Sequence, residues 1–154
     1  MFVFIADHGG PVNPKYDIAL NYHHSPLIFY SPKKLSNKTY SNIGTQIDVY
    51  PTIMEILDLP FTNNYLEIDL KKETCPYIII NDDDKFGVLD TTHLLIIKKD
   101  EQPKLYNYQN DELTNSFKQD KATEMETYGK SNLQVFQWML LNDKTSLIRD
   151  SNTK

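Results

Sequence analysis

Apolar residues fall in two different rhythms along the chain. In the first section, residues 1 to 60, short continuous apolar runs alternate with polar loops and one helical stretch. The pattern predicts a strand from Phe2 to Ala6, a long polar loop from Asp7 to His24, and a strand from Leu27 to Tyr30. A helix then follows from about Asp48 to Asp58. Short strands without alternation fit a parallel sheet covered on both faces. Asp48 is placed to cap the helix, and Pro51 falls in its first turn, where a missing N–H costs little. Ile47, Tyr50, Met54 and Leu57 recur at helical spacing beside Ile53 and Ile56, and this broad apolar face is expected to be buried.

The second section, residues 61 to 154, reads as an antiparallel meander. Its strands are Tyr77–Ile80, Phe86–Leu89, His93–Ile97 and Lys104–Tyr108, with the turn 81–85 as the first hairpin connection. A closing helix from about Lys121 to Leu141 places Met125, Tyr128, Phe136, Met139 and Leu140 largely on one side, facing that sheet. The last dozen residues are expected to fray. No internal repeat or low-complexity tract interrupts this organisation.

The first strand runs directly into Asp7-His8-Gly9-Gly10. Open α/β sheets bind ligands outside the carboxyl ends of their strands, and glycines there let backbone or ligand approach closely. Histidine nitrogen together with carboxylate oxygen suits Zn or Mn. Asp7 and His8 are therefore the candidate metal ligands.

That loop resembles the Asp-His-Gly metal motif of the alkaline-phosphatase and sulfatase superfamily, and later stretches match the same family in order. His24-Ser25-Pro26-Leu27-Ile28 is similar to its His-x-Pro-Leu-Ile strand, and Gln46-Ile47-Asp48-Val49-Tyr50-Pro51-Thr52 to its Gln-Ile-Asp-x-x-Pro-Thr helix. Residues 104–115, Leu105-Tyr106-Asn107 through Asp111, Glu112 and Asn115, resemble the element near sulfatase C-termini. Gln46-Ile47-Asp48, Asn63-Asn64 and Ile68-Asp69-Leu70 look most like lipoteichoic-acid-synthase-type members, although Glu67 stands where these commonly carry glycine.

The resemblance implies an α/β fold: the C-terminal part of an alkaline-phosphatase-like sandwich, followed by a small antiparallel sheet with a C-terminal helix. It implies a divalent metal, with His8 favouring Mn or Zn over Ca, and a substrate-facing role for His24. It also implies a phospho- or sulfo-ester substrate, taken by phosphoglycerol or phosphoethanolamine transfer or by sulfate ester hydrolysis. In the family the nucleophile and further acidic ligands precede the Asp-His motif. The chain is thus expected to be the C-terminal fragment of a larger enzyme, partnered by the missing N-terminal half, with its site incomplete and no turnover alone. Relatives imply a membrane-anchored enzyme with an extracytoplasmic catalytic domain. The alternative is a non-catalytic interaction module, or a truncated remnant, using the same scaffold.

Other residues carry blander readings. His23 reads as a solvated ring, His93 as structural, and Asp82-Asp83-Asp84 as a solvated acidic turn. Gln46 and Asp48 match family positions but are explained by packing and capping. The Asn37-Lys38-Thr39 sequon is too common to carry weight. At 154 residues with 40% hydrophobic content the chain can bury a sizeable core. A net charge of −5, with Arg149 the only arginine, argues against a nucleic-acid surface. The lone Cys75, preceding Pro76, excludes an internal disulfide and reads as a structural thiol. No apolar run is long enough for a transmembrane helix, and no signal peptide opens the chain.

Overall fold

The computed structural model describes residues 1–10, 12–62, 66–110, 112–113 and 119–145, with side chains at 112–113 left aside. Pro11, Asn63, Asn64, Asp111 and Asn115 of the motifs above, and the tail from 146 onward, lie outside the described residues. Strand β1 (Phe2–Phe4), helix α1 (Leu20–His23), strand β2 (Ile28–Tyr30) and helix α2 (Val49–Leu57) form the first part. Strands β3 (Ile78–Asp82), β4 (Lys85–Leu89), β5 (His93–Lys98), β6 (Lys104–Asn107) and β7 (Glu112–Leu113) precede helix α3 (Gln119–Leu141).

The expected meander is present, with β3 to β7 paired antiparallel in chain order. Side chains alternate between its two faces, as the strand pleat requires. Val88, Leu95, Ile97 and Leu105 join Tyr77 and Met125 in one core, against which Phe86, Ala122 and Tyr128 of β4 and α3 pack. Leu94, Ile96 and Ile80 face the opposite way and surround Ile18, which is wholly buried. That residue comes from the stretch expected to be a polar loop. Gly87 makes room for it, since a β-carbon there would sit 2.9 Å from Ile18 Cδ1. Tyr16 packs on Tyr106 at 4.9 Å, and Asp17 pairs with Lys98 at 2.7 Å. The segment leaving the Asp7-His8 loop is therefore pinned to the second sheet.

The first section departs from expectation in its pairing. β1 and β2 pair antiparallel, Phe2 opposite Tyr30 and Phe4 opposite Ile28, as a two-stranded ribbon rather than neighbours in a covered parallel sheet. Phe2, Phe4, Ile28 and Tyr30 are exposed on one face. The strand also stops before Ile5 and Ala6, because the Ala6 N–H is taken by Ser25 Oγ at 2.9 Å.

The buried side of α2 likewise differs from the apolar stripe. Ile47 and Tyr50 are exposed, whereas Asp48, Pro51, Thr52 and Ile56 are buried. Asp48 does not cap α2. Its carboxylate accepts the Thr45 N–H and hydroxyl and, across the fold, the Ile68 N–H at 2.9 Å. Thr52 Oγ1 donates to the Asp48 carbonyl and accepts from Leu70 N–H. Buried polar atoms are thus satisfied by the 68–70 segment, which fixes that face inward. Glu67 is not among the residues with positive φ, so its departure from glycine introduces no backbone strain there.

On α3, Met125 and Gly129 meet the sheet, but Val135, Trp138, Leu140 and Leu141 are exposed. In its second half Phe136 and Met139 are half-buried as expected, whereas Leu140 of the same expected face is exposed.

Candidate metal centre

Asp7 and His8 lie on the loop after β1, and several groups hold their backbone. Gln46 Nε2 donates to the Ala6 and Asp7 carbonyls at 3.3 and 3.1 Å. The Gly9 N–H donates to the Tyr22 carbonyl at 2.7 Å, which docks the loop on α1. A β-carbon on Gly9 would overlap the Asn21 carbonyl oxygen. Gly9→Ala is thus expected to push the loop off α1 at a cost of about 1–3 kcal/mol in urea unfolding. An unchanged midpoint would show that the loop yields without resistance.

The His8 ring has a defined orientation. Its Nδ1 lies 2.9 Å from the Gly9 carbonyl oxygen, which can only accept, so Nδ1 carries a proton and, in the neutral ring, Nε2 keeps its lone pair. Metal-binding histidines commonly donate their second N–H to a carbonyl in this way. Nε2 lies 3.8 Å from Asp7 Oδ2. With Zn–N and Zn–O distances of about 2.0–2.2 Å, one ion can touch both atoms. Asp7 Oδ1 is occupied by the His8 N–H at 2.9 Å, leaving Oδ2 turned to the ring. Both side chains are open to solvent, and the donor set fits a divalent cation. No third His, Cys, Asp or Glu joins them among the described residues.

His24 ends α1, its N–H donating to Leu20 O at 2.9 Å, and its carbonyl lies beside Gly9. Its side chain is exposed. His23 is exposed too and meets Tyr22 edge-on at 5.3 Å. Beside the loop, Val3 to Ala6, Ser25, Pro26 and Ile28 line a cavity of about 340 Å³, apolar apart from Ser25 and backbone.

The remaining candidates are structural in their surroundings. Asp82 and Asp84 pair with Lys85 at 3.7 and 3.3 Å in the β3–β4 turn. His93 is buried, 3.6 Å from Asp90 Oδ1. Burial pushes the Cys75 thiol above its ordinary pKa and the Asp48 and Glu73 carboxylates push the same way, which suits an inert thiol. Sequence reasoning passed over Ile18 and Tyr22, which set where the loop sits, and treated Gln46 as packing. The ring at Tyr22 sits just before the His23-His24 pair, the one local cue that it shares their neighbourhood.

Residues 1–59 match the Sulfatase family, a segment that contains every residue of the loop and its supports. The chain also overlays a solved structure described as a protein in the alkaline phosphatase superfamily from Vibrio parahaemolyticus, with a TM-score of 0.74 and 19% identity. Residues 1–59 are thus sulfatase-like, and the chain shares its fold with a protein of the alkaline phosphatase superfamily. The overlay covers 95% of this chain and 36% of the Vibrio protein, so the superfamily fold here spans about a third of that relative's length. No curated protein matches it in sequence. Sulfatase-family proteins are generally metal-dependent, and the Asp7-His8 loop lies inside the matched segment. No helix among the described residues is long and apolar enough to cross a membrane.

Proposed function

We propose that the chain supplies Asp7 and His8 to the divalent-metal centre of a sulfatase-family phosphotransferase or ester hydrolase. The nucleophile and remaining ligands come from chain beyond these 154 residues. The observation that carries this reading is the pairing of Asp7 Oδ2 with a His8 Nε2 whose tautomer is fixed by Gly9. The 36% share of the Vibrio protein's length supports an incomplete centre. A bound cation would activate the nucleophile and stabilise charge on the transferred group. Gln46 and Ser25 keep the loop backbone in place, and His24, exposed beside Gly9, is assigned to the substrate.

The nitrogen ligand favours Mn or Zn over Ca, and with it a phospho-ester over a sulfo-ester substrate. Lipoteichoic-acid-synthase-type relatives extend this reading to phosphoglycerol or phosphoethanolamine transfer by a membrane-anchored, extracytoplasmic enzyme. Calorimetric titration with zinc or manganese chloride tests the ligand assignment. Weak binding is expected, falling at least about tenfold in Asp7→Ala and His8→Ala. Equal affinity in both variants would remove the two residues from any site. Upstream of the Met1 codon, an in-frame segment with an acidic ligand and a Thr, Ser or Cys nucleophile supports the enzyme reading. A stop codon close upstream would favour an interaction module, which the exposed Phe2, Phe4, Ile28 and Tyr30 face would serve.

A further inference from the structure

His8 is held in its ring plane as well as at its nitrogen. Tyr22 lies over the imidazole with ring centroids 4.6 Å apart and planes 18° from parallel. The Tyr22 carbonyl simultaneously accepts the Gly9 N–H, while the Gly9 carbonyl accepts from His8 Nδ1. One residue therefore contacts both the face of the ring and the backbone N–H of Gly9, the residue whose carbonyl fixes the tautomer. Tyr22 in turn sits on the single-turn helix α1, which would be unstable alone. Its position is set by Ile18, buried among Ile80, Leu94 and Ile96 of the second sheet.

We propose that Tyr22 is a positioning residue for the metal centre: its ring holds the His8 imidazole so that Nε2 points to the ion beside Asp7. This rests on the metal reading above for its purpose, but the orientation it describes exists without metal. The backbone bond from Gly9 survives any substitution at Tyr22, so side-chain variants isolate the stacked ring. Removal of the phenol ring frees His8 to rotate about its side-chain bonds, and the bond from Nδ1 to Gly9 O loses its alignment. Rotation then spends part of the binding free energy on reordering the ligand, as loss of an outer-shell contact does at other metal sites.

The test uses the full chain and two readouts. In the metal-free chain with the ring neutral, the ¹⁵N spectrum of His8 is expected to show the Nδ1–H tautomer. Tyr22→Ala should introduce the Nε2–H tautomer, and Tyr22→Phe should not. In titration with zinc chloride, Tyr22→Ala is expected to weaken binding about tenfold, with Tyr22→Phe close to the parent. Tyr22→Leu keeps apolar bulk without an aromatic face and should behave as alanine does; it decides the matter if the alanine variant disturbs the Leu94 methyl signals. An unchanged tautomer and affinity in Tyr22→Ala overturns the proposal, as does an equal loss in Tyr22→Phe. If Asp7→Ala and His8→Ala bind zinc like the parent, the metal reading fails, and the tautomer comparison still judges the role of Tyr22.

Discussion

Ile18→Ala is expected to destabilise the chain by about 2–5 kcal/mol, measured as a lower urea midpoint by far-UV circular dichroism. The side chain is wholly buried in a pocket formed by Ile80, Leu94 and Ile96, and it fills, together with Leu94, the space that Gly87 leaves. Truncation loses the transfer free energy of the removed carbons and opens a cavity that a paired sheet cannot close. The neighbouring Asp17–Lys98 pair is a much smaller matter. Lys98 holds the Asp17 carboxyl below its ordinary range, but the carboxylate is 43% exposed, so the pair is worth less than about 1 kcal/mol. Asp17→Asn should therefore leave the midpoint nearly unchanged. A loss below about 1 kcal/mol in Ile18→Ala would mean that the segment is not pinned as described.

Asp90→Asn should cost about 2 kcal/mol at neutral pH and almost nothing in strong acid. Burial pushes the Asp90 carboxyl up, but the His93 and Thr92 N–H groups and the Lys121 ammonium together outweigh it and hold the pKa below 3.8. The contacts are short: 2.6 and 2.7 Å to the two N–H groups and 3.0 Å to Lys121 Nζ. Lys121 also donates to Tyr77 Oη at 2.7 Å, and Tyr77 donates to Glu124 at 2.6 Å. Because the folded pKa lies below the unfolded one, this stability is complete above the unfolded value of about 3.9. It is lost as pH falls through the folded value. Unfolding free energies of parent and variant should draw together as pH falls below the unfolded value and through the folded one, and a gap that stays constant over that descent would exclude the carboxylate's charge as the cause.

The parts of the fold that the sequence made legible are those whose signals are local. The meander strands are compact apolar runs between turn residues, and β3 to β6 fall where that pattern puts them. Asp7 and His8 stand out in the sequence as a candidate pair because they are adjacent in the chain. The supports were not, since each acts across the fold. Ile18 lies in an apolar run of only three residues, Ile18-Ala19-Leu20, inside a polar stretch, and only the gap at Gly87 reveals its destination. Gln46 gives no local sign that its amide reaches the Ala6 and Asp7 carbonyls. On α2 the apolar stripe misled because Asp48 and Thr52 are satisfied by Ile68 and Leu70, an arrangement that rewards burying the polar side instead.

The ribbon of β1 and β2 has three residues per strand and one uncovered aromatic face. Such a pair is too short to stand by itself in water. In most α/β sites the strand is the anchor and the loop its passenger. Here the loop is moored from behind by Ser25, Gln46 and Tyr22, and the ribbon hangs from it. The outward residues of that ribbon are free to be recut for a new neighbour while Asp7 and His8 keep their places.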